Sequence, residues 1–458
     1  MPSIVALLQC LDGTLATTLL HQLEVIVLAQ LTMTGRVTMA GMARWSGSGG
    51  SYRTIQRFFQ TPIAWATLLW LLFRAHRHQP STTYLLAGDE VVVTKAGKQT
   101  HGVDRFFSSI AGKPVPSVAF FSLALVNVTE RRAYPMALEQ IIRTPEEKAT
   151  STAKAKAKQA KAKAKATTAA AAKPRRPGRP KGSKNRPKID LPLSPELQRI
   201  GTMIGALMLQ ATPTLTLTYL LLDGHFGNAA ALQMARQQNL HLISKLRADS
   251  ALFFPYDGPY AGHGPRRRYG DKLDYRMLPE TALQTTTLKD GISTRIYQAQ
   301  LRHREFPQLL NVVIIHKTNQ QTGKGAHVIL FSSDGTLNAA LVIDYYSLRF
   351  QIEFTFRDAK QHWGMEDFMH VTPTGVTNAA NLSLFMVTVA AAVVGDQPPL
   401  NADASMLDLK TTYRGRKYVE TMIELLPEKP DPILFDSLIS TITDLGRIHP
   451  RQSAGASP

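Results

Sequence analysis

The segment 345–360 places its polar residues at intervals that a helix gathers onto one side. At about 100° per residue, four of them fall within roughly 60° of each other: Tyr346, Arg349, Glu353 and Lys360. On the same wheel Arg357 lies next to this group. The apolar residues form a separate stripe: Tyr345, Leu348, Ile352, Phe356, Ala359 and Trp363. We therefore predict one continuous helix that packs by its apolar side and presents a single carboxylate among cations.

A plain surface helix with Glu–Arg pairs four residues apart is the alternative interpretation. However, the spacing Y-x2-R-x3-E-x6-K resembles the signature around the last acidic residue of bacterial insertion-sequence transposases. These are DDE enzymes with an RNase H-like core. The resemblance implies two further aspartates upstream of Glu353, each at the end of a strand.

Charge and length restrict the partners of the chain. Its 458 residues are enough for two to four domains. Lys and Arg, at 53, exceed Asp and Glu, at 34, by 19, so a polyanion is expected as partner, with DNA first and an anionic membrane second.

The single cysteine, Cys10, excludes an internal disulfide framework. The longest apolar run, 382–395, is shorter than the roughly 20 residues that span a bilayer. We expect a buried core helix there, no membrane partner, and a cytoplasmic location with the bacterial nucleoid DNA, since the first residues lack a signal-peptide n-region.

Residues 1–78 show the apolar period of helices and predict a helical DNA-binding domain. The segments 38–45 and 51–59 flank a glycine-rich turn and resemble a helix-turn-helix, with Ser51 as a suitable N-cap. The second helix presents four polar side chains that can contact base edges in the major groove: Tyr52, Arg53, Gln56 and Arg57. An ordinary packed helix pair is the alternative for this segment taken alone.

Residues 79–149 begin with a β-rich run that two adjacent acids, Asp89 and Glu90, interrupt. A carboxylate in a buried strand needs a cation or metal partner. Strand alternation puts the two acids on opposite faces, so both are candidates. The polar run 94–102 resembles the segment after the first catalytic aspartate of the transposases, and this resemblance favours Asp89. The next strand, 117–127, is expected to pair with the first as a hairpin.

Residues 150–190 form a basic linker in which the range 154–188 holds fourteen lysines and arginines and no acid. We predict that it is disordered, because it has too little apolar surface to fold alone. The segment 176–181 resembles an AT-hook that inserts into an A·T-rich minor groove, although proline precedes the glycine of its core. The resemblance assigns DNA contacts to three residues: Arg176, Arg179 and Lys181. A solvated linker that binds DNA without sequence preference is the alternative.

Residues 191–248 are predicted to hold the second part of the catalytic core. An amphipathic helix over 193–210 precedes a strand over 214–222. Asp223 follows directly, at the carboxyl end of that strand, where open α/β sheets place their ligands. The run 223–228 is similar to a D-x-x-F/Y-x-N run of the same transposases, which makes Asp223 the second acid.

The remaining ranges complete the domain organisation. Residues 249–335 predict a β-rich insertion that ends in a hairpin. Residues 336–396 hold the last part of the core with the Glu353 helix, and 397–458 a helical C-terminal region and tail. The basic residues of that region either contact DNA or are solvated: Arg414, Arg416 and Lys417. The expected fold class is α/β, with an RNase H-like catalytic core, a β-rich insertion, an α-helical N-terminal DNA-binding domain and C-terminal helices.

The resemblance implies that Asp89, Asp223 and Glu353 are the catalytic acids and hold two Mg²⁺ or Mn²⁺ ions, for which carboxylate oxygens are suitable ligands. One ion would activate a water or 3′-hydroxyl nucleophile, and the other would stabilise the leaving oxygen. The resemblance also assigns DNA contacts near the cut to Tyr346, Arg349 and Lys360. The helical wheel adds Arg357.

Together these expectations describe a DNA transposase that binds the terminal inverted repeats of its mobile element as a homodimer. It would cleave the ends and transfer the strands to target DNA by cut-and-paste transposition. A domesticated or decayed relative that binds DNA without cleavage is the alternative from a different class. A membrane-surface protein would explain the basic linker but not the acids.

Overall fold

The computed structural model describes residues 3–47, 49–108, 111–149, 191–260, 262–395, 405–428 and 430–449. The basic linker and its AT-hook-like residues, Arg176, Arg179 and Lys181, lie outside the described residues. Within the described ranges the protein has a mixed α/β fold around a twelve-stranded, mostly antiparallel sheet. Alternate residues of the first strand enter two different hydrophobic clusters, with Leu85 in one and Leu86 in the other, so both faces of the sheet are covered.

Five helices form the N-terminal part: α1 (Ile4–Leu8), α2 (Thr17–Thr32), α3 (Met39–Ser46), α4 (Tyr52–Gln60) and α5 (Trp65–His76). The predicted helix pair is confirmed as α3 and α4. Thr38 caps α3 by accepting a hydrogen bond from the Gly41 N–H, and Ser51 caps α4 through the Thr54 N–H. These helices share one hydrophobic cluster with the sheet, so they pack onto the core.

The next elements are β1 (Tyr84–Thr94), β2 (Asp104–Ser108), β3 (Lys113–Asn127) and β4 (Arg132–Ile141). β1 pairs antiparallel with β3 along its whole length, which confirms the predicted pairing. β2 and β4 pair with successive parts of the other edge of β3.

The next elements are α6 (Pro195–Ala211), β5 (Tyr219–Leu221), α7 (Ala229–Gln237) and β6 (His241–Leu246). β5 pairs in parallel with both β1 and β6 and so lies between them. The strand predicted over 214–222 is wrong in length, because only three residues form β5. β6 begins at the residue paired with Tyr219, so the residues before Tyr219 have no partner strand on that side.

The range of the predicted β-rich insertion contains six strands: β7 (Leu252–Pro255), β8 (Tyr269–Lys272), β9 (Leu283–Lys289), β10 (Ile292–His303), β11 (Leu309–Asn319) and β12 (Gly325–Ser332). β11 and β12 form the expected hairpin. The insertion is continuous with the main sheet, because β12 pairs antiparallel with β6.

The last helices are α8 (Ala339–Leu348), α9 (Gln351–His362), α10 (Pro373–Gly395), α11 (Met406–Glu424) and α12 (Pro432–Asp444). The single helix predicted over 345–360 is wrong, since a turn at Arg349 and Phe350 separates α8 from α9. The N–H groups of Arg349 and Phe350 donate to carbonyls three residues earlier, at 3.3 and 3.2 Å, as in a 3₁₀ turn. The predicted apolar stripe is confirmed: Tyr345, Leu348, Ile352, Phe356, Ala359 and Trp363 are all buried.

Two C-terminal features qualify the sequence-based expectations. α10 is long and apolar enough to cross a membrane by length and composition, but 89% of its most apolar window is buried in the protein. On α11, Arg414 donates to the Thr32 carbonyl at 2.9 Å and Lys417 to the Trp45 carbonyl at 2.6 Å. Neither solvation nor DNA contact, the two roles predicted for them, accounts for these side chains, because they bind the C-terminal carbonyls of α2 and α3.

Candidate active site

The register of two parallel strands brings Asp89 and Asp223 together. Ala87 of β1 pairs with Leu221 of β5. Continued for two residues along both strands, this register sets Asp89 beside Asp223. Neighbouring strands lie about 4.8 Å apart, so the two carboxylates share one face of the sheet. The expectation that each aspartate lies at the end of a strand is wrong for Asp89, which is in the middle of β1, whereas Asp223 follows the end of β5.

The loop after β5 holds Asp223 by short-range contacts. An oxygen of its carboxylate accepts a hydrogen bond from the His225 N–H at 3.1 Å, and the Ser244 hydroxyl donates to its backbone carbonyl at 2.7 Å. Gly227 in the same loop lies so close to β6 that a Cβ added to it would be 2.2 Å from the Lys245 carbonyl oxygen. This close approach needs a glycine and fixes the path of the loop.

Arg349 connects the first acid to the third. Its Nη1 lies 2.6 Å from Asp89 Oδ2, and its Nη2 lies 3.1 Å from Glu353 Oε1. The Arg349 side chain is only 14% exposed, against 20% for Asp89 and 39% for Glu353. The turn between α8 and α9 thus places a largely buried guanidinium between a strand-borne and a helix-borne carboxylate.

The charges at this site act on each other. Burial raises the pKa of Asp89, Arg349 opposes that shift, and the negative charges of Asp223 and Glu353 add to it. Asp223 and Glu353 are therefore both within electrostatic reach of Asp89. Tyr346 belongs to the same group: burial raises the pKa of its phenol, the Arg349 cation opposes the rise, and the Asp223 charge adds to it.

Lys360 lies further along α9 and does not contact the acids. Its Nζ donates to the Val92 carbonyl at 2.8 Å and lies 3.6 Å from Glu366 Oε1. The side chain therefore fastens α9 to β1 from the helix side, and 25% of it remains exposed.

Arg357, which the helical wheel placed beside this group and assigned to DNA, pairs with its neighbour on α9, and its DNA contact stays a prediction. Its guanidinium binds the neighbouring Asp358 carboxylate, at 3.1 Å from Nε and 3.0 Å from Nη2, and stacks on the Phe354 ring at 4.9 Å from the centroid. The adjacent carboxylate provides a nearer partner than Glu353. Arg357 remains exposed on α9.

Glu90 occupies the opposite face of β1, as strand alternation predicted. It lines a cavity of about 570 Å³ with Arg143 and Glu196. Burial raises the pKa of Glu90, and the charge of Glu196 raises it further, while Arg143 opposes the shift. His225 also belongs to this side: a hydrogen bond to Glu196 raises the pKa of its imidazole.

The α4 residues assigned to DNA lie on the surface. Tyr52 is 46% exposed, Arg53 and Arg57 are exposed, and Gln56 is partly buried. The other side of α4 is buried through Ile55, Phe58 and Phe59. The helix thus presents its polar face to solvent, separate from the acids.

A groove of about 1100 Å³ adjoins β1, and helical patterns in the sequence did not indicate it. It is lined by Lys95, Lys98 and Arg36 and also by Glu366 and Asp367, and Arg36 Nε lies 3.1 Å from Asp367 Oδ1. Lys95 is buried, donates to the carbonyls of Glu366 at 3.2 Å and Phe368 at 2.9 Å, and lies over the Phe368 ring. The only signal in the sequence was the density of donors in the run 94–102.

The acids of the site offer oxygen ligands for a divalent metal. Among the described residues, no group of three or more His, Cys, Asp or Glu lies close enough together to hold an ion. Asp89 and Glu353 nevertheless converge on one positive centre, the Arg349 guanidinium, and Asp223 is the strand neighbour of Asp89. Oxygen ligands that already share a cation fit a divalent metal in chemistry. Such a set, on two neighbouring strand segments and a packed helix, is the type used for metal-assisted phosphoryl transfer.

Comparison with known families identifies the class. The model of the DDE superfamily endonucleases matches residues 6–306, which is more than half of the chain, and the chain belongs to this family. Its members generally use divalent metal ions, and DNA is the implied substrate. The matched range contains Asp89 and Asp223 and ends before α9 with Glu353. No curated protein matches the chain.

Proposed function

We propose that this endonuclease is the transposase of a bacterial insertion sequence. It binds the terminal inverted repeats of its element, cleaves the ends and transfers the strands to target DNA. The observation that carries the proposal is the convergence of the acids: Asp223 lies beside Asp89 through the β1–β5 register, and Arg349 joins Asp89 to Glu353. The signature Y-x2-R-x3-E-x6-K supports it from the sequence.

The proposal includes an RNase H-like catalytic core. In support, β4, β3 and β1 are antiparallel neighbours, and β5 and β6 extend the same sheet parallel to β1. α9, which carries Glu353, packs against β1 and β4. This arrangement puts the middle of β1, the end of β5 and α9 around a single site.

In this mechanism Asp89, Asp223 and Glu353 would hold two Mg²⁺ or Mn²⁺ ions, which would supply activation of the attacking oxygen and stabilisation of the leaving oxygen. The chain itself holds Asp89 and Asp223 by backbone register and orients Glu353 through Arg349. The Arg349 guanidinium, which binds Asp89 and Glu353 in this structure, would bind a DNA phosphate near the cut. Tyr346, beside Arg349, and Lys360, further along α9, are assigned to phosphates near the cut.

Recognition of the element ends is assigned to α4 and to the basic linker. The exposed face of α4 supplies Tyr52, Arg53, Gln56 and Arg57, and the linker supplies Arg176, Arg179 and Lys181. The proposal is completed by a homodimer on DNA and by action in the cytoplasm on nucleoid DNA. The DNA that flanks the reading frame would provide the inverted repeats needed as substrate.

The experiment uses labelled element ends with Mg²⁺ and the variants Asp89→Ala and Glu353→Ala. We expect both variants to bind the ends like the wild type but to cleave them at least about a thousand-fold more slowly, because metal ions contribute several kcal/mol to such reactions. Asp358→Ala is the matched control on α9, since its carboxylate binds Arg357. Undiminished cleavage by either active-site variant would contradict the proposal. A wild-type protein that binds the ends but never cleaves them would indicate the decayed relative.

A further inference from the structure

Lys245 on β6 lies in the same row of the sheet as the two aspartates. Leu221 of β5 pairs in parallel with Ile243 of β6. Continued for two residues, this register sets Lys245 beside Asp223. Because Asp89 lies on the other side of Asp223, the order across the sheet is first acid, second acid and then lysine.

The loop after β5 stays against β6 as far as this row. The Leu222 N–H donates to a β6 carbonyl at 3.2 Å, and the Ser244 hydroxyl donates to the Asp223 carbonyl at 2.7 Å. A Cβ added to Gly224 would lie 3.6 Å from the Cβ and 3.9 Å from the Cδ of Lys245. The stem of the lysine therefore lies against the residue that follows the second acid.

The Lys245 side chain projects from the face of the sheet that carries the acids. Ile243, two residues earlier on β6, shares a hydrophobic cluster with Ala87 and Leu221, which precede the two aspartates by the same interval. Leu242 belongs to the cluster on the opposite face. Since side chains alternate along a strand, Lys245 points to the side of Ile243, and it is exposed there.

The cations that the sequence assigned to this site are already bound by the protein. Arg349 joins two carboxylates, Lys360 donates to a β1 carbonyl at 2.8 Å, and Arg357 binds the carboxylate of its neighbour on α9. Lys245 differs from them: in the described part of the chain its ammonium makes no hydrogen bond and no ion pair, not even with Asp223. A lysine whose stem packs while its charge stays in water is available to bind an anion.

A phosphate of the DNA backbone fits the position of this cation. DNA is the implied substrate of the family, and lysine binds phosphate as a point charge. Each DNA strand carries one phosphate per roughly 3.4 Å of helix axis. Neighbouring strands of a sheet lie about 4.8 Å apart. When one phosphate lies at the acids, the next phosphate is therefore within reach of a long side chain on the adjacent strand.

We propose that Lys245 binds the DNA phosphate next to the one at the acids, on the side of Asp223 that faces away from Asp89. This contact fixes the position of the DNA strand, so that the phosphate to be cut lies beside the three acids. Arg349 on the Asp89 side and Lys245 beyond Asp223 then flank the acids with positive charge. The inference rests on the proposed function in that the ends of the element are the substrate.

The test measures binding of an element-end duplex in EDTA by fluorescence anisotropy over a range of salt concentrations. Lys245→Met keeps the stem and removes the charge. We expect it to bind about five-fold more weakly and to reduce the slope of log Kd against log salt by about 0.9, the contribution of one phosphate. Lys245→Arg keeps the charge and should restore both values. Lys272→Met, at an exposed position of β8 at the far end of the sheet, is the matched control and should change neither.

A second measurement locates the contact on the DNA. Each phosphate that flanks the cut is replaced in turn by an uncharged methylphosphonate. We expect one position to weaken binding by the wild type about five-fold and to have no further effect on Lys245→Met, because the lysine and that phosphate lose the same contact. A purely structural role for Lys245 would leave the two losses independent at every position. That result, or an equal loss by Lys272→Met, overturns the proposal.

The outcomes separate this inference from the proposed cleavage, because binding is measured without metal. A coupled phosphate together with undiminished cleavage by Asp89→Ala would leave Lys245 as a DNA ligand and contradict the role of the acids. Independent losses together with acid-dependent cleavage would overturn only the role of Lys245. A wild-type protein that does not bind the element ends would overturn both.

Discussion

The strand-borne acids and the helix-borne acid of this site are held in different ways. Asp89 and Asp223 lie side by side because β1 and β5 pair in parallel, so backbone hydrogen bonds set their positions. Glu353 lies on α9 and reaches the first aspartate only through the Arg349 guanidinium. Two acids are thus positioned by the sheet, and the third by a side chain that is itself a cation.

This difference separates rigidity from adaptability within one site. A parallel register shifts only if the sheet is rebuilt, whereas an ion pair can exchange its cation. α9 is fixed to the core by the buried Ile352 and Phe356, yet Glu353 itself is 39% exposed. We infer that the sheet provides a constant half of the site and that the helix provides the half that responds to metal and DNA.

The largest expected effect is on the sheet-held half. Gly227→Ala should lower the free energy of unfolding by about 3 kcal/mol and displace Asp223, because the added Cβ would meet a backbone oxygen of Lys245 at 2.2 Å. Gly224→Ala is the control from the same loop, since its Cβ would lie at an ordinary 3.5 Å from that oxygen. Urea denaturation of both variants measures the difference. Equal stability of the two would show that this loop does not constrain Asp223.

Local patterns in the sequence predicted much of what surrounds the acids. The buried stripe of α8 and α9, the N-cap at Ser51 and the pairing of the first two long strands of the core all follow from periods and residue types within short windows. The position of Asp223 directly after an apolar run was visible for the same reason. These features depend on neighbours in sequence, which a single chain displays.

Contacts between distant segments were not predictable in this way. Arg349 and Asp89 are 260 residues apart, and nothing local to either one indicates that they meet. The helical wheel assumed an unbroken helix and so missed the turn that aims Arg349 at the strand. β5 is short because its neighbours β1 and β6 decide where pairing stops.

A second, smaller effect tests whether a metal ion can replace the Arg349 cation between Asp89 and Glu353. Arg349→Gln should lower the free energy of unfolding in EDTA by about 2 kcal/mol, because Asp89 and Glu353 lose their shared cation in a partly buried site. Saturating Mn²⁺ should restore most of this loss, since a bound ion replaces the missing charge and stabilises the folded state. We also expect the variant to bind Mn²⁺ more tightly than the wild type, because no guanidinium competes for the carboxylates.

Arg357→Gln is the matched control for this experiment. Its guanidinium binds the adjacent Asp358 on an exposed surface, so its replacement should change the stability by less than about 0.5 kcal/mol with or without metal. Calorimetric titration with Mn²⁺ and denaturation in both buffers provide the readouts. An Arg349→Gln variant that stays equally destabilised in Mn²⁺ would show that the arginine has a purely structural role and that the carboxylates do not accept an ion in its place.

The smallest expected effect concerns Lys360 as the side chain that fastens α9 to the sheet. Lys360→Met should lower the free energy of unfolding of the DNA-free protein by about 1 kcal/mol, because the Nζ hydrogen bond to the Val92 carbonyl joins α9 to β1. Lys98→Met, at an exposed position after β1, should have no measurable effect on stability. If both variants are as stable as the wild type, Lys360 does not hold α9 in place, and the position of Glu353 depends on Arg349 and the apolar packing of the helix.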